Sequence, residues 1–169
     1  MQEVNPKKPI VRFESFIEHF PTVQLPVTLN DEVHHEFSNR NEPLPPLMIE
    51  QFILPFELEE IDDMTEYIAC FRIPETHDFH AIVIWRAGLM DYSYNMLTFT
   101  KKGELIDKRA IAGTFYDGQN LTQSVAIIDE DWEILITSGQ STNGKTYDPT
   151  TSRVTKLELL PEGQIIDIE

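Results

Sequence analysis

Residues 94–113, YNMLTFTKKGELIDKRAIAG, decide the predicted fold because they have the pattern of a β-hairpin. Leu97 and Phe99 alternate with Met96, Thr98 and Thr100, and this two-residue period places successive side chains on opposite faces of a strand. Gly103 follows two lysines at the turn and supplies the positive φ that a short hairpin loop requires. Hairpins of similar composition precede and follow it, so we expect this one to lie in the middle of an antiparallel sheet.

Six further strands are predicted, two before this hairpin and four after it. In His80–Arg86 the apolar residues occur at both odd and even positions, which is typical of a central strand covered on both faces. A turn at Asp117-Gly118 and a long loop at residues 138–152 separate the later strands. The six strands are Tyr67–Ile73, His80–Arg86, Ser124–Ile128, Glu133–Thr137, Val154–Leu160 and Gln164–Ile168.

Eight strands in four hairpins predict a mainly β protein, all-β to α+β, built as an antiparallel meander. The spacing leaves open whether the meander curls as a barrel, a sandwich or a partial propeller. Within the first strand, residues 67, 69, 71 and 73 are apolar and are expected to share one face.

One or two short helices are predicted to precede the meander and to pack on it. The stripe Phe13, Phe16, Ile17 and Phe20 indicates an amphipathic helix, which Pro21 ends. Residues 23–29 alternate but contain a proline, so an edge strand or extended segment follows, and Asn30 is a plausible N-cap for a helix through Phe37. Residues 38–46 are expected to form a loop, and for Leu47–Phe56 the flanking prolines favour an extended piece or one helical turn. The expected organisation is a flexible tail at 1–9, a packed segment at 10–66 and the meander at 67–169, in a single folding unit.

The length of 169 residues and the hydrophobic fraction of 41% fit one soluble domain. No apolar run is long enough to cross a bilayer, and the N-terminus lacks the apolar region of a signal peptide. We therefore expect a cytoplasmic protein, with removal of an export leader as the alternative. Cys70 is the single cysteine, so an intramolecular disulfide and a multi-thiolate zinc site are excluded, and its place between Ala69 and Phe71 predicts a small buried hydrophobic side chain.

The charge balance is the most unusual property of the composition. Twenty-nine acidic residues against 13 basic ones give a formal net charge of −16. Such a field repels nucleic acid and anionic membranes, and it favours either a basic partner or high solubility alone. The acids are densest at Glu57–Glu66, ELEEIDDMTE, where the sequence predicts a short surface helix or a solvated turn.

The sequence contains no pattern typical of a catalytic or cofactor site. It lacks G-x-S-x-G, the phosphate-binding loop and the dinucleotide fingerprint, so the prediction is a protein that is not an enzyme and takes no cofactor. His77, Asp78 and His80 could offer ligands to a metal ion, but a metal site needs three or four converging ligands and a solvated loop is the simpler interpretation.

A basic cluster lies in the central hairpin, where Lys101 and Lys102 occupy the turn and Lys108 and Arg109 follow on the next strand. Positive charge at a turn or strand edge is a common protection against edge-to-edge aggregation. We favour that interpretation over nucleic-acid binding, which the overall charge opposes.

Two segments carry a resemblance. LTFTKKGELID, residues 97–107, resembles hairpins of uncharacterised bacterial β-meander proteins, and FIEHFPTVQLP, residues 16–26, is similar to the segments that precede such meanders. The resemblance implies a β-meander, and many of those proteins carry a lipoprotein leader. By general character, being small, acidic and without catalytic motifs, the chain also resembles immunity proteins that neutralise bacterial toxins.

The function expected from the sequence is a non-enzymatic acidic protein-binding module, most concretely an immunity-type inhibitor that occludes a basic, toxin-like protein. Exposed loop aromatics would supply the buried anchors that tight binding requires. The candidate contact residues are Glu57, Glu59, Glu60, Asp62, Asp63 and Trp132, with Tyr92, Tyr116 and Tyr147 as further aromatics. Two alternatives remain: an envelope-associated structural or binding protein whose leader was removed, and a small-molecule-binding barrel or weak hydrolase with its site inside the meander or at His77 and His80.

Overall fold

A computed structural model describes residues 9–58, 61–142 and 146–168. Within these residues the chain forms three short α-helices, a 3₁₀ turn and nine β-strands. The predicted tail at 1–9 lies outside the described residues except for Pro9. The helices are α1 (Phe13–Ile17), α2 (His34–Arg40) and α3 (Pro46–Phe52), and the 3₁₀ turn is Leu54–Phe56. The strands are β1 (Val27–Leu29), β2 (Glu66–Arg72), β3 (Phe79–Ala87), β4 (Asp91–Thr100), β5 (Leu105–Tyr116), β6 (Asn120–Ile128), β7 (Glu133–Thr142), β8 (Thr146–Leu159) and β9 (Ile165–Ile168).

The strands form one antiparallel sheet, and the predicted mainly β meander is confirmed. Strands β2 to β9 follow one another in chain order, and β1 pairs with β6. In the described part of the chain β2 and β9 do not pair with each other, so the sheet is open and is not closed into a barrel. None of the described helices has the length and apolar character needed to cross a membrane.

The central hairpin has the predicted turn. Gly103 adopts a φ of +90° and its amide donates to the carbonyl oxygen of Thr100. A Cβ at this glycine would lie 2.9 Å from the ring of Phe13, so the turn also packs closely against α1. Strand β5 continues to Tyr116, and it pairs with β4 over most of its length but with β6 only through residues 113–116.

The long loop predicted at residues 138–152 is wrong for most of its length. Strand β7 runs to Thr142 and β8 begins at Thr146, with Gln140 opposite Asp148 and Ser141 opposite Tyr147. Turn-forming residues suggested a loop, but the cross-strand hydrogen bonds satisfy the backbone and override local propensity. The Asn143-Gly144 turn signal itself falls among residues 143–145, outside the described residues.

The helical segments also differ from the sequence expectations. Residues 46–52 form α3, with a proline in its first turn where a missing N–H costs no hydrogen bond, and the 3₁₀ turn follows. Of the two alternatives predicted here, the extended piece is wrong, and the helical turn is closer to the structure although α3 is longer than one turn. Helix α2 begins later than predicted, because the Oδ1 of Asn30 accepts from the amides of Glu32 and Val33 and so caps a turn that precedes the helix.

Two hydrophobic clusters lie on opposite faces of the sheet. We call the side of β2–β5 that α1 and α3 cover the helix-covered face; there Phe16 and Phe20 pack over Ile82, Ile84 and Leu97. The inner face is the opposite side, where residues of β2–β4 and of β6–β9 share one core because the sheet curls. The inner cluster includes Val83, Trp85, Tyr94, Met96, Ala126, Ile128, Ile134, Leu157 and Leu159.

The outer side of β6–β9 has no described element packed on it, and we call it the open face. Its apolar side chains keep substantial exposure, in contrast to the buried residues of the helix-covered face. They are Val125 (39%), Ile127 (40%), Leu135 (37%), Val154 (66%) and Ile166 (38%).

A β-bulge in β2 changes which side chains share a face. The register shifts between Ala69 and Phe71, so Ala69 joins the helix-covered face while Phe71 and Ile73 join the inner face. The expectation that these residues share one face is therefore wrong. The Nδ2 of Asn41, just after α2, donates to the carbonyl oxygens of Ala69 and Cys70 and holds the bulge.

Candidate functional site

Glu57, the first residue of the acidic segment, lies inside the protein. Its side chain is 3% exposed, its Oε2 accepts from the Nε of Arg86 at 2.7 Å and from the Tyr67 hydroxyl at 3.0 Å, and its Oε1 accepts from the Nζ of Lys108. Arg86 also contacts Asp91 at 3.5 Å. Glu57 therefore organises a buried charge network, and its predicted role as an exposed partner contact is corrected.

The network fixes the ionisation of its members. Burial alone would raise the pKa of Glu57, but the hydrogen bond and charge of Lys108, together with the hydrogen bonds from Tyr67 and Arg86, bring it below its ordinary value. Burial and the adjacent Glu57 carboxylate raise the pKa of Tyr67 to about 12. At neutral pH the carboxylate is charged and the phenol is neutral, so the phenol acts as the donor.

The other predicted acidic contacts have different surroundings. The Oδ1 of Asp62 accepts from the Met64 amide at 2.7 Å and from the Thr65 hydroxyl at 3.2 Å, so Asp62 stabilises a turn at the surface. Asp63 is exposed beside it. Glu59 and Glu60 lie outside the described residues.

The predicted aromatic anchors are not equivalent. Trp132 is half-buried, with its ring 6.0 Å from that of Phe79 at 88°, and it packs against the inner core. Tyr92, Tyr116 and Tyr147 are 46%, 41% and 54% exposed. Of these three, Tyr92 lies at the cavity described below.

The histidine and cysteine candidates do not form a reactive centre. His77 is exposed, whereas His80 packs 5.8 Å from the Phe13 ring, and burial with nearby Lys101 and Arg72 lowers the pKa of His80. Among the described residues no group of three or more His, Cys, Asp or Glu side chains could hold a metal ion. Cys70 is buried as predicted, and burial raises the pKa of its thiol.

The four residues of the predicted basic cluster lie in three separate places. Lys101 and Lys102 are exposed at the hairpin turn, Lys108 points to Glu57, and the Nη2 of Arg109 pairs with Asp167 at 2.7 Å. Lys108 and Arg109 lie on the part of β5 that pairs with β4 but, among the described residues, not with β6, so protection of a strand edge stays a prediction for these two.

A cavity of about 460 Å³, the Glu57 cavity, lies on the side of the sheet that carries the charge network. Its walls include Phe56, Leu105 and Phe115, and Ser93 and Asn95 are its buried neutral polar residues, with the Nδ2 of Asn95 donating to the Ser93 Oγ at 2.9 Å. Apolar walls with a few convergent polar groups are typical of small-molecule pockets.

A second cavity of about 500 Å³, the Trp85 cavity, lies between α2 and strands β2–β4. The Trp85 ring stacks on His34 at 4.2 Å and is nearly parallel to Tyr92 at 5.9 Å, with interplanar angles of 6° in both pairs. The ionisable residues in its lining are acids and histidines, without lysine or arginine in the part of the chain that the structure describes. The lining consists of Asp31, His34, His35, Ser38, Glu66, Ile68, Trp85, Ala87, Tyr92 and Thr114.

Asp31 is held in a fixed orientation at this cavity. Its Oδ1 accepts from the Thr114 hydroxyl at 2.7 Å and its Oδ2 accepts from the Nε2 of Gln123 at 2.8 Å. Each carboxylate oxygen keeps a further lone pair that can accept from a ligand. Glu66 begins β2 opposite Ala87 and is exposed.

His34 is kept neutral by its surroundings. Burial against Trp85 and the neighbouring His35 ring at 4.0 Å lower the pKa of His34, and its buried Nδ1 has no hydrogen-bond partner among the described residues. At neutral pH His34 therefore adds no positive charge beside the carboxylates of Asp31 and Glu66.

Sequence reasoning did not identify the Trp85 cavity. Asp31 is distant in the chain from Trp85 and Tyr92, which lie on neighbouring strands of one hairpin, and the turn before α2 brings Asp31 to them. Adjacent His34 and His35 and the neighbouring acids Asp31 and Glu32 were the available signal, but a local pattern cannot show what lies opposite.

Comparisons with protein-family models, with curated proteins and with solved structures give no match for this chain.

Proposed function

We propose that this protein is a non-enzymatic binding module for a basic protein, in its most concrete form a cytoplasmic immunity-type inhibitor that occludes a basic toxin. The observation that carries the proposal is the separation of charges. Lys108 and Arg86 are paired with the buried Glu57, whereas the Trp85 cavity presents Asp31 and Glu66 without a cation in its described lining.

Charge complementarity explains how such a surface would work. With a net charge of −16 the protein attracts basic proteins over distances comparable to the screening length, which raises the association rate. Neighbouring Glu32 and Glu36 are exposed and extend the negative surface around the cavity, and Tyr92 offers an exposed ring as an anchor. The proposed contact surface therefore centres on Asp31, Glu66 and Tyr92 and does not include Glu57. Asp62 and Asp63, exposed and close to Glu66 in the chain, stay predicted contacts, as do Glu59 and Glu60 outside the described residues.

Capture of partners from a cell lysate at low and high salt, compared between two matched variants, tests this proposal. The first variant neutralises the acids of the proposed surface, Asp31→Asn with Glu32→Gln, Glu36→Gln and Glu66→Gln. The second makes the same charge change at residues of the opposite half of the sheet, Glu130→Gln, Glu133→Gln, Glu158→Gln and Glu162→Gln. Both remove four negative charges, so they differ only in location.

We expect to capture a single basic protein, in an amount nearly equal to that of the protein used to capture it, and we expect high salt to weaken the capture. The first variant should weaken binding of that protein by about tenfold or more and the second by about twofold or less, because only the first removes contact charges. Capture of no basic partner at either salt, or equal weakening in both variants, would contradict the proposal.

The Glu57 cavity supports a second candidate function, the binding of a small amphipathic molecule. Its volume of about 460 Å³ and its apolar walls around Ser93 and Asn95 are the observations that favour it. A thermal-shift screen with small metabolites tests it, because a specific ligand raises the melting temperature. Ala110 lines the cavity, so Ala110→Phe should abolish the shift. A compound set that shifts both proteins equally, or neither, would exclude this candidate.

A further inference from the structure

We infer that the Trp85 cavity receives the guanidinium group of an arginine side chain, which the basic partner inserts between the aromatic wall and the two carboxylates. This inference rests on the proposed function and names the chemistry by which the site would recognise its partner. It follows from the shape of the wall, the placement of the acids and the chemistry of the guanidinium group.

The aromatic wall offers the Tyr92 ring to a ligand. His34 stacks face to face on Trp85, which is 4% exposed, whereas the nearly parallel Tyr92 ring lies 5.9 Å from Trp85, is 46% exposed and lines the cavity. A planar cation stacks on such a surface and is attracted by the negative face of the aromatic rings. A guanidinium group is planar and weakly hydrated, so it suits this wall better than the compact, strongly hydrated ammonium of lysine.

The acids supply directional acceptors. Thr114 and Gln123 hold the Asp31 carboxylate in place by donating one hydrogen bond to each of its oxygens. A carboxylate fixed in this way accepts two parallel N–H groups from a guanidinium fork without a large loss of side-chain freedom. Glu66 adds a second negative charge to the lining of the same cavity.

Apart from His35, the remaining groups that face the cavity do not oppose a cation. His34 is neutral at pH 7 because burial and the neighbouring His35 lower its pKa, and Ser38, Ile68, Ala87 and Thr114 carry no charge. The volume of about 500 Å³ accommodates one arginine side chain together with ordered water. The cavity is thus anionic, aromatic and of sufficient size.

Titration with N-acetyl-arginine amide tests the inference directly. The chain has two tryptophans, so Trp132→Phe leaves Trp85 as the sole indole, and its fluorescence reports on the cavity. N-acetyl-citrulline amide is the matched neutral probe, because it keeps the length and planarity and removes the charge. Calorimetry on the unmodified protein gives the same comparison if Trp132→Phe does not fold.

We expect the arginine probe to change the Trp85 fluorescence with a dissociation constant on the order of millimolar, and the citrulline probe to bind about tenfold more weakly or worse. Asp31→Asn with Glu66→Gln should weaken the arginine probe by about tenfold, and the control Glu133→Gln with Glu158→Gln by about twofold or less. Equal binding of the two probes, or unchanged binding in the Asp31 and Glu66 variant, would overturn the inference.

The two proposals fail separately. If the arginine probe binds with this pattern, the cavity assignment is supported, even where lysate capture returns no basic protein. Failure of the lysate capture counts against the proposed function alone. A basic partner that binds the Asp31→Asn, Glu66→Gln variant as tightly as the parent overturns the cavity assignment and leaves the proposed function standing.

Discussion

The two halves of the sheet differ in how many of their faces are covered. Strands β2–β5 have the inner core on one side and helices α1 and α3 on the other, whereas β6–β9 have the inner core on one side and the open face on the other. Both cavities are lined mainly by the first half. A strand region fixed from both sides can hold buried polar groups such as Glu57 and Arg86 in one geometry, and a region fixed from one side has fewer contacts with which to do so.

The largest effect that would test this comparison is expected at Phe16. The side chain is fully buried on the helix-covered face, and its ring centroid lies 5.1 Å from that of Phe20 and 4.9 Å from that of Phe52. Phe16→Ala should lower the free energy of unfolding by about 4 kcal/mol, because it removes apolar contacts and leaves a cavity. Urea denaturation measures the change, and a loss below about 1 kcal/mol would show that the helix layer contributes little.

The next effect is expected at the buried charge network. Glu57→Gln leaves Arg86, which is 4% exposed, with less compensation and should lower the free energy of unfolding at pH 7 by about 3 kcal/mol. Glu158→Gln in β8 is the matched control and should change the free energy of unfolding by less than about 0.5 kcal/mol. Equal losses in the two variants would contradict the distinction between the halves.

The difference in the free energy of unfolding between the parent and Glu57→Gln should depend on pH. The pKa of Glu57 in the folded protein lies below its ordinary value of 4.5, so the unfolded chain binds this proton more readily. The stability that Glu57 contributes is therefore present above pH 4.5 and is lost as the pH falls through its folded-state pKa. Urea melts between pH 6 and pH 3 should show the parent and Glu57→Gln converging, and a constant gap would contradict the assignment.

The smallest effect is expected on the open face. Leu135 is 37% exposed and has Lys156 and Ile127 as cross-strand neighbours, so Leu135→Thr exchanges little buried apolar surface and keeps a good strand former. The free energy of unfolding should change by less than about 0.5 kcal/mol. A loss comparable to that of Phe16→Ala would indicate that another surface covers this face in solution.

Period-two alternation and Gly103 were sufficient to predict the antiparallel meander, because side-chain direction and turn geometry are local properties. The bulge at Cys70 and the strands in residues 138–152 were not predictable locally, since hydrogen bonds from Asn41 and from the paired strand determine them. The same limit applies to Glu57, whose neighbours indicated a solvated patch although Arg86 and Lys108, distant in the chain, draw it inside.

The pairing of β1 with β6 has a consequence for the order in which the protein folds. Val27 lies opposite Ile128, about 100 residues later in the chain, so this contact has a much greater sequence separation than a hairpin contact. Joining such distant segments has a larger loop-closure entropy cost, and during synthesis the partner of β1 does not exist until most of the chain has been made. The hairpins can form as they emerge, so we expect β1 to be incorporated late. On this expectation the burial of Leu29 in the inner core, opposite Ala126, is among the last steps of folding.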